Sequence, residues 1–487
     1  MRPHSRLALT CALAAVAVGC TTPEKRTDAA KVPVTTASEE ARALYLEGRD
    51  LFEKLRFTDA RKRFEEAVAL DEGFALGWLG LANAAQSAKE FWEALDRATA
   101  LAERVSEGER HMILGLSAGA RSDPAGQARH YEALSAAFPK DERVFNLLGG
   151  YRFGRQEYAD AIAAYEQAIA IDPAFSMPYN QKGYAHRFLG ELEKAEAAFR
   201  RYIELIPDDP NPYDSYAELL MKMGRFQESI ASYEKALEHD PHFVASYVGI
   251  GLDRLYMGEP DEARESFARL AEVARTPGEK RAALVRIAQS WVFEGEPDKA
   301  LDAMKEMSAV AEAEGDKAAI AGDLVLVGNI LLEAGRPDEA LARFEGAVET
   351  NAASNAPEEA KAAVRRNALF NRARVALARG EVDAARSLAE EYAEKVAAHE
   401  VAFERWQSHE LRGLIALAEK DHAKAVAELR QANQQDPRVQ YHLALAHEGA
   451  GEEEAARAAC RQAAEHNGLN FNYAYVRDKA AGMLTAG

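Results

Sequence analysis

Small, aromatic and proline positions recur with a constant period of about 34 residues along the central part of the chain. Each class keeps its own phase, so a proline, a small residue and an aromatic residue follow one another at constant spacing. A constant period of this length indicates a stack of similar supersecondary units rather than a set of separate domains. The recurring positions are Pro139, Pro173, Pro207 and Pro241; Gly115, Gly149, Gly183, Ala217 and Gly251; and Tyr131, Tyr165, Phe199, Tyr233 and Phe267.

The residue types at these positions predict two packed helices in each unit. A glycine inside a helix costs about 1 kcal/mol relative to alanine, so a glycine that recurs indicates the close approach of a neighbouring helix. The aromatic residues would fill the gaps between helices. Each proline would end the second helix, because proline has no N–H to donate. The pattern therefore predicts an all-α chain of antiparallel hairpins.

This unit resembles the tetratricopeptide repeat (TPR), in which two antiparallel helices occupy about 34 residues. The resemblance covers about residues 41–467, and it implies an all-α, right-handed superhelical solenoid of about 11–12 hairpins. It also implies that the first helix of each hairpin lines the concave face. In the fourth unit the motif positions are Phe145, Gly149, Ala161, Tyr165, Ala168 and Pro173.

Changes in the period divide the predicted solenoid. A regular array is expected over 41–277, TPR-like units with longer helices over 278–405, and C-terminal units over 406–467. Residues 468–487 are expected to form a capping helix and a tail, because a solenoid needs to cover its last apolar face. The stretch 278–405 is either a bend between two solenoid segments or a continuous part of one.

The first twenty residues are predicted to direct the chain out of the cytoplasm. Arg2 and Arg6 precede an apolar run, residues 7–18, that is too short to span a bilayer and is typical of a signal peptide. The run leads to Cys20 and resembles a bacterial lipoprotein signal, in which the cysteine is acylated and becomes the mature N-terminus. Ordinary cleavage after Ala17 is the alternative.

The lipoprotein interpretation makes residues 1–19 the signal peptide and residues 20–40 a lipidated cysteine with a flexible tether. Thr21 stands where many Gram-negative lipoproteins that stay at the inner membrane have aspartate. The resemblance therefore implies a lipid anchor in the outer membrane, on its periplasmic face. Two or three acyl chains give stable attachment, whereas a single chain binds only marginally.

Composition restricts the partners and the chemistry further. The 487-residue chain has a formal net charge of −19, which disfavours nucleic acid as a partner. Three cysteines provide no disulfide framework, and Cys460 is expected to be a buried core residue. Neither His409 nor the pair His442 and His447 has the spacing of a histidine metal site. The sequence predicts no metal, no cofactor and no enzymatic activity.

The candidates for a binding role lie at positions 2, 5, 9 and 12 of the first helices, which the family directs toward the concave face. In the fourth to sixth units these positions are polar, aromatic and mixed in charge, which favours a groove. The clamp by which chaperone-type repeats bind acidic C-terminal tails uses lysine at position 5 and asparagine at position 9 of its first helix. Its pattern is absent here, since the first unit has Tyr45 and Arg49 and the second has Leu79 and Asn83. The groove candidates are Arg143, Asn146, Phe153, Asn180, Tyr184, Arg187, Asp214 and Glu218.

The sequence therefore predicts a non-enzymatic scaffold, anchored to the outer membrane, that binds a protein or peptide partner in its concave groove. Resemblance to other envelope lipoproteins with these repeats implies a part in outer-membrane protein insertion, pilus or secretin assembly, or cell-wall enzyme complexes. The alternative is a sensor or binding protein for a small molecule or peptide in the fourth to sixth units. A closed pocket beneath Tyr184 and Arg187 would favour that alternative, and an open channel would favour the protein partner.

Overall fold

The computed structural model describes residues 30–397 and 401–486. This part of the chain contains 25 α-helices, one short 3-10 helix (Ala102–Arg104) and no β-strand. Consecutive helices pair into twelve antiparallel hairpins, and α25 (Tyr473–Ala486) follows the last of them, which confirms the predicted all-α solenoid. The hairpins are α1 (Glu39–Glu53) with α2 (Phe57–Leu70), α3 (Ala75–Asn83) with α4 (Ala88–Leu101), α5 (Glu107–Ala120) with α6 (Pro124–Ala137), α7 (Glu142–Gly154) with α8 (Tyr158–Ile171), α9 (Met177–Phe188) with α10 (Leu192–Leu205), α11 (Pro210–Lys222) with α12 (Phe226–His239), α13 (Val244–Tyr256) with α14 (Pro260–Val273), α15 (Pro277–Phe293) with α16 (Pro297–Ala313), α17 (Lys317–Glu333) with α18 (Pro337–Ala352), α19 (Glu358–Ala378) with α20 (Val382–Ala397), α21 (Ala402–Ala418) with α22 (His422–Leu429), and α23 (Pro437–Gly449) with α24 (Glu453–Ala464).

The recurring prolines and aromatic residues fix the loops between hairpins. Each of the four prolines lies two residues beyond the end of α6, α8, α10 or α12, where a helix can no longer continue. A tyrosine in the next first helix then ties the loop down. The hydroxyl of Tyr213 donates to the carbonyl of Pro207 at 2.9 Å, and that of Tyr247 donates to the carbonyl of Pro241 at 3.0 Å.

Half of the twelve hairpins are held by contacts between a glycine of the first helix and an aromatic ring of the second. A Cβ atom placed on Gly149 would lie 2.3 Å from Cε1 of Tyr165, and one on Gly251 would lie 2.2 Å from Cε1 of Phe267. Both rings are fully buried. The absence of a side chain on the glycine is therefore what allows the two helices to approach.

The solenoid turns back on itself, so that hairpins far apart in the sequence touch. The hydroxyl of Thr58 donates to Oε1 of Glu279 at 2.7 Å, and Arg275 forms an ion pair with Asp59 at 3.1 Å. Further along, Gln156 donates to Asn433 at 3.1 Å through their side-chain amides. These contacts join the early hairpins to hairpins in the second half of the chain.

The prediction of a flexible tether over 20–40 does not hold for residues 31–37, which we call the N-terminal strap. Lys31 forms an ion pair with Glu142 at 2.5 Å, and the main-chain N–H of Val32 donates to Asp141 at 2.8 Å. Thr35 donates both its N–H and its hydroxyl to Glu109, each at 2.7 Å. Carboxylates at the starts of α5 and α7 thus hold the strap. Residues 20–29 lie outside the described part.

The last helix of the described chain covers the final hairpin and also packs against an earlier part of the superhelix. Helix α25 covers α24, and it also packs against the first helices α15 and α23. Tyr473 and Ala480 on α25 are fully buried. Helices α15 to α21 are 16–21 residues long, which makes this part of the solenoid wider than the first seven hairpins.

Two adjacent glycines in α7 offer a matched test of hairpin packing. We expect Gly149→Ala to destabilise the fourth hairpin, because overpacking against Tyr165 costs roughly 1–3 kcal/mol. Gly150→Ala should stabilise the same helix by about 0.5–1 kcal/mol, since no atom lies within 4 Å of its Cβ position. Hydrogen exchange of the amides in α7 and α8 measures both changes. A shift of the same sign in the two variants would contradict the packing argument.

Candidate functional site

A cavity of about 980 Å³ lies between the fifth and sixth hairpins and the last two hairpins. Helices α9 and α11 supply one wall, to which Arg187, Glu218 and Lys222 contribute. The other wall comes from the loop before α23, from α23 and α24, and from residues 466–470. The curvature of the superhelix brings the two walls together. The amide side chains around the cavity include Asn433, Gln434, Gln435, Gln440, Gln462 and Asn467.

Glu218 organises the wall formed by α9 and α11. Its carboxylate accepts a hydrogen bond from the hydroxyl of Tyr184 at 2.9 Å and pairs with Arg187 at 3.1 Å. The Arg187 guanidinium also lies over the Tyr184 ring, 4.8 Å from its centre. Burial, reinforced by Glu218, raises the pKa of Tyr184 well above its ordinary value. The three groups form a rigid, largely buried cluster, with Arg187 and Glu218 at the cavity surface and Tyr184 behind them.

Lys222, unlike Arg187, has no ion-pair partner on this wall. It lies one turn beyond Glu218 in α11, and among the described residues no carboxylate is within ion-pair distance of it. Burial, followed by the nearby Arg187, lowers the pKa of Lys222 below its ordinary value. On the opposite wall, burial and Lys222 lower the pKa of His466 to about 4, so its imidazole is neutral at physiological pH. Lys222 therefore brings a positive charge without an ion-pair partner to a cavity lined by amides and also by Arg461 and Glu465.

Two buried acids lie on α11 and α13, the first helices of the sixth and seventh hairpins. Asp214 in α11 accepts a hydrogen bond from the hydroxyl of Ser246 at 2.7 Å, and burial together with Glu218 raises its pKa well above the ordinary value. Asp253 in α13 is fully buried, and neither of its carboxylate oxygens has a hydrogen-bond partner. Burial raises the pKa of Asp253 to about 8. The carboxyl of Asp253 is therefore favoured in the neutral form near pH 7.

The predicted groove residues of the fourth unit do not line this cavity. Arg143 pairs with Glu53 at 2.7 Å and stacks over Phe175, and the N-terminal strap covers its surroundings. Asn146 donates to the sulfur of Met177 at 3.2 Å.

Phe153 packs edge-on against Tyr158 and Phe188. Asn180, in the fifth unit, is buried and its Oδ1 has no partner. Among the eight candidates the structure brings Arg187 and Glu218 to the cavity surface, with Tyr184 and Asp214 behind them.

Sequence reasoning missed Lys222, Asp253 and the whole C-terminal wall. Asp253 could have been found, because the residues one, two and three periods earlier are Leu219, Ala185 and Tyr151. An acid at a position that is otherwise apolar is a departure from the repeat. The C-terminal wall carries no comparable signal, since contacts between distant turns leave no trace in the repeat period.

The remaining chemistry-bearing residues have structural partners. Cys460 is buried, with its sulfur 3.7 Å from the carbonyl of Ala480. His409 pairs with Glu428 at 2.7 Å. In the described ranges no group of histidine, cysteine or acidic side chains is arranged to hold a metal ion, and no helix is both long and apolar enough to cross a membrane. Cys20 lies outside the described residues.

Comparison with known families agrees with this architecture. Family models described as tetratricopeptide repeat match residues 45–107, 114–174, 248–314 and 327–400, and two more match residues 178–209 and 210–243. The chain belongs to the tetratricopeptide repeat family. Its fold is thus one that serves protein–protein interaction.

Curated relatives share parts of this TPR array. The chain is 29% identical over 142 residues to the Protein CTR9 homolog of Arabidopsis thaliana, which covers 27% of this chain and 13% of that protein. It is 32% identical over 97 residues to the Protein STIP1 homolog of Dictyostelium discoideum, covering 20% and 17%. The chain thus spans less than a fifth of the length of these relatives.

Solved structures with similar repeats cover less than half of the chain. MamA is 25% identical, with a TM-score of 0.29, and the match covers 34% of this chain and 91% of MamA. PilW, a type IV pilus biogenesis factor, is 21% identical with a TM-score of 0.33, covering 46% of this chain and 98% of PilW.

The raised pKa of Asp253 predicts a pH-dependent stability. Its folded pKa, about 8, lies above the unfolded value of about 3.9, so the carboxylate destabilises the fold increasingly as pH rises from about 4 to 8. We expect Asp253→Asn to remove this penalty and to stabilise the protein by more than about 1 kcal/mol at pH 8, with a smaller gain at pH 5.

Urea unfolding followed by circular dichroism at the two pH values measures the effect. Asp302→Asn, at an exposed position of α16, serves as the matched control and should change neither midpoint. A lower stability of Asp253→Asn at pH 8 would show that the carboxylate is satisfied in the fold.

Proposed function

We propose that this TPR chain is a non-enzymatic scaffold that holds an extended polypeptide segment of a partner protein. We further propose that Cys20 anchors it by lipid to the periplasmic face of the outer membrane, where it assists the assembly of envelope components. The observation that carries the binding proposal is the amide-lined cavity with the uncompensated Lys222 on its wall.

The chemistry of the cavity suits a polypeptide main chain. Each glutamine or asparagine side chain offers both donors and an acceptor, which complement peptide N–H and carbonyl groups. Lys222 adds an attraction for a carboxylate on the bound segment. The rigid cluster of Tyr184, Arg187 and Glu218 supports this wall, so binding requires little rearrangement of α9 and α11.

The size of the cavity argues against a small-molecule sensor as the first choice. A volume of about 980 Å³ lies at the upper end of the range of roughly 300–1,000 Å³ found for drug-sized ligands. Small-ligand sites are also lined mostly by apolar and aromatic side chains, whereas most of the side chains that line this cavity are amides or charged groups. An extended chain fits both properties better.

Site-specific photo-crosslinking tests the position of the partner. A photoreactive residue at Gln462, which is exposed and faces the cavity, should crosslink the partner in intact envelopes, whereas one at Lys235 on α12 should not. Lys222→Glu should lower the crosslinked fraction by about 10-fold or more, which corresponds to about 1.4 kcal/mol.

Lys235→Glu is the matched charge-reversal control and should leave crosslinking from Gln462 unchanged. Crosslinking that is equally strong from position 235, or that is insensitive to Lys222→Glu, would contradict binding in the cavity. A cavity specific for a small molecule would instead yield a ligand that raises the melting temperature with no crosslinked protein.

The proposed anchor has its own test. Cys20→Ala should abolish incorporation of labelled palmitate and release the protein from outer-membrane fractions, because Cys20 would carry all of the acyl chains. Cys460→Ala removes the buried thiol of α24 and should leave both properties unchanged. Palmitate on the Cys20→Ala protein would contradict the proposed anchor.

A further inference from the structure

Residues 466–472, the C-terminal loop between α24 and α25, cross the face of α13 and α15 and are held there by their main-chain atoms. The Tyr256 hydroxyl accepts a hydrogen bond from the N–H of Gly468 at 3.0 Å and donates one to the carbonyl of the same residue. A single side chain of α13 therefore binds both polar groups of one residue of the loop.

Two side chains of helix α15 bind the next two residues of the loop. Arg286 donates to the carbonyl of Leu469 at 2.9 Å, and Gln289 donates to the carbonyl of Asn470 at 3.1 Å. Since the two side chains are three residues apart in one helix, they lie on the same face. Tyr256, Arg286 and Gln289, here called the main-chain receptor, thus bind three successive carbonyls. Contacts to main-chain atoms accept many sequences.

The C-terminal loop leaves buried polar and charged side chains around it without partners. Among the described residues no carboxylate lies within ion-pair distance of Arg286, and burial lowers the pKa of its guanidinium. Arg477 likewise has no carboxylate within ion-pair distance among the described residues. It donates to the amide oxygen of Asn467 at 3.1 Å, and its guanidinium lies 4.6 Å from the centre of the Tyr256 ring. The buried hydroxyl of Tyr475 has no hydrogen-bond partner. A buried cation without an anion is costly, so a carboxylate-bearing occupant would satisfy this surface better.

The main-chain receptor is continuous with the cavity. Residues 466–470 form part of the cavity wall, so moving them would join the space beside Lys222 to the surface of Arg286. Helix α25 has attachments of its own that do not involve the loop, including an ion pair between Lys479 and Glu333 at 3.5 Å. Lys222, Arg477 and Arg286 would then lie along a single path, each without a carboxylate partner.

We propose that the main-chain receptor is a polypeptide-binding surface that the C-terminal loop occupies in cis, and that an extended acidic segment of a partner displaces the loop. This inference rests on the proposed scaffold function and identifies its partner as an acidic, extended chain. The loop then regulates access, because the full groove opens only when the loop has left it. Carboxylates of the partner, placed against Lys222, Arg477 and Arg286, offset the free-energy cost of displacing the loop.

A peptide derived from the loop provides the probe. A fluorescent peptide with the sequence of residues 464–474, carrying the changes Asn467→Asp, which faces Arg477, and Asn470→Asp, is titrated into the full-length protein. Gly468→Pro removes the N–H group that donates to the Tyr256 hydroxyl, and it should release the loop from the main-chain receptor. The Gly468→Pro protein should therefore bind the peptide about 10-fold or more tightly than the wild type. Gly468→Ala keeps the N–H and has room for a methyl group, with its nearest neighbour at 3.4 Å, and should behave as the wild type.

Equal affinity of the three proteins, or no binding to a Gly468→Pro protein whose circular dichroism matches the wild type, would overturn the proposal. Hydrogen exchange on the wild type gives a result even where Gly468→Pro fails to fold. Saturating acidic peptide should increase exchange in residues 466–472 while the amides of α13 and α15 stay protected. Unchanged exchange in the loop would also overturn it. Neither measurement depends on the crosslinked partner, so the failure of this inference and that of the proposed function are distinguishable.

Discussion

The close contact between a glycine in the first helix and an aromatic ring in the second is the constraint on which the rest of this structure depends. It sets the distance between the helices in half of the twelve hairpins, as Gly149 against Tyr165 and Gly251 against Phe267 illustrate. Because each hairpin packs mainly on its neighbours in sequence, a repeated hairpin geometry produces a continuous curvature. That curvature then carries the chain round until distant hairpins touch, as at Thr58 and Glu279.

Segments near both ends of the described chain bind to the surface of the solenoid itself. The N-terminal strap is held by carboxylates at the starts of first helices, whereas the C-terminal loop is held by Tyr256, Arg286 and Gln289. In each case side chains bind the main chain of an extended segment, which is the same chemistry that a partner polypeptide would need. The amide-lined cavity beside Lys222 is a part of the surface that neither segment fills.

Individual residues mark the limit of what the repeat pattern predicts. Gly149 and Tyr165 were predictable because their contact is local and recurs from unit to unit. Arg187 and Glu218 could be named as groove candidates because first helices share one orientation. Arg143 was named for the same reason, but the strap, whose sequence has no periodicity, covers its surroundings. The repeat fixes which face a side chain occupies, and the rest of the chain decides whether that face stays open.

The sequence by itself therefore determined the secondary structure, the pairing of helices and the direction of the first-helix side chains, because these follow from interactions within a single repeat unit. Only the tertiary structure decided which hairpins meet across the turns of the superhelix. Such contacts join Gln156 to Asn433 and Tyr256 to Gly468, and they involve residues that no shared period relates. The cavity and the main-chain receptor exist only through these contacts, since each needs two parts of the chain that curvature alone brings together.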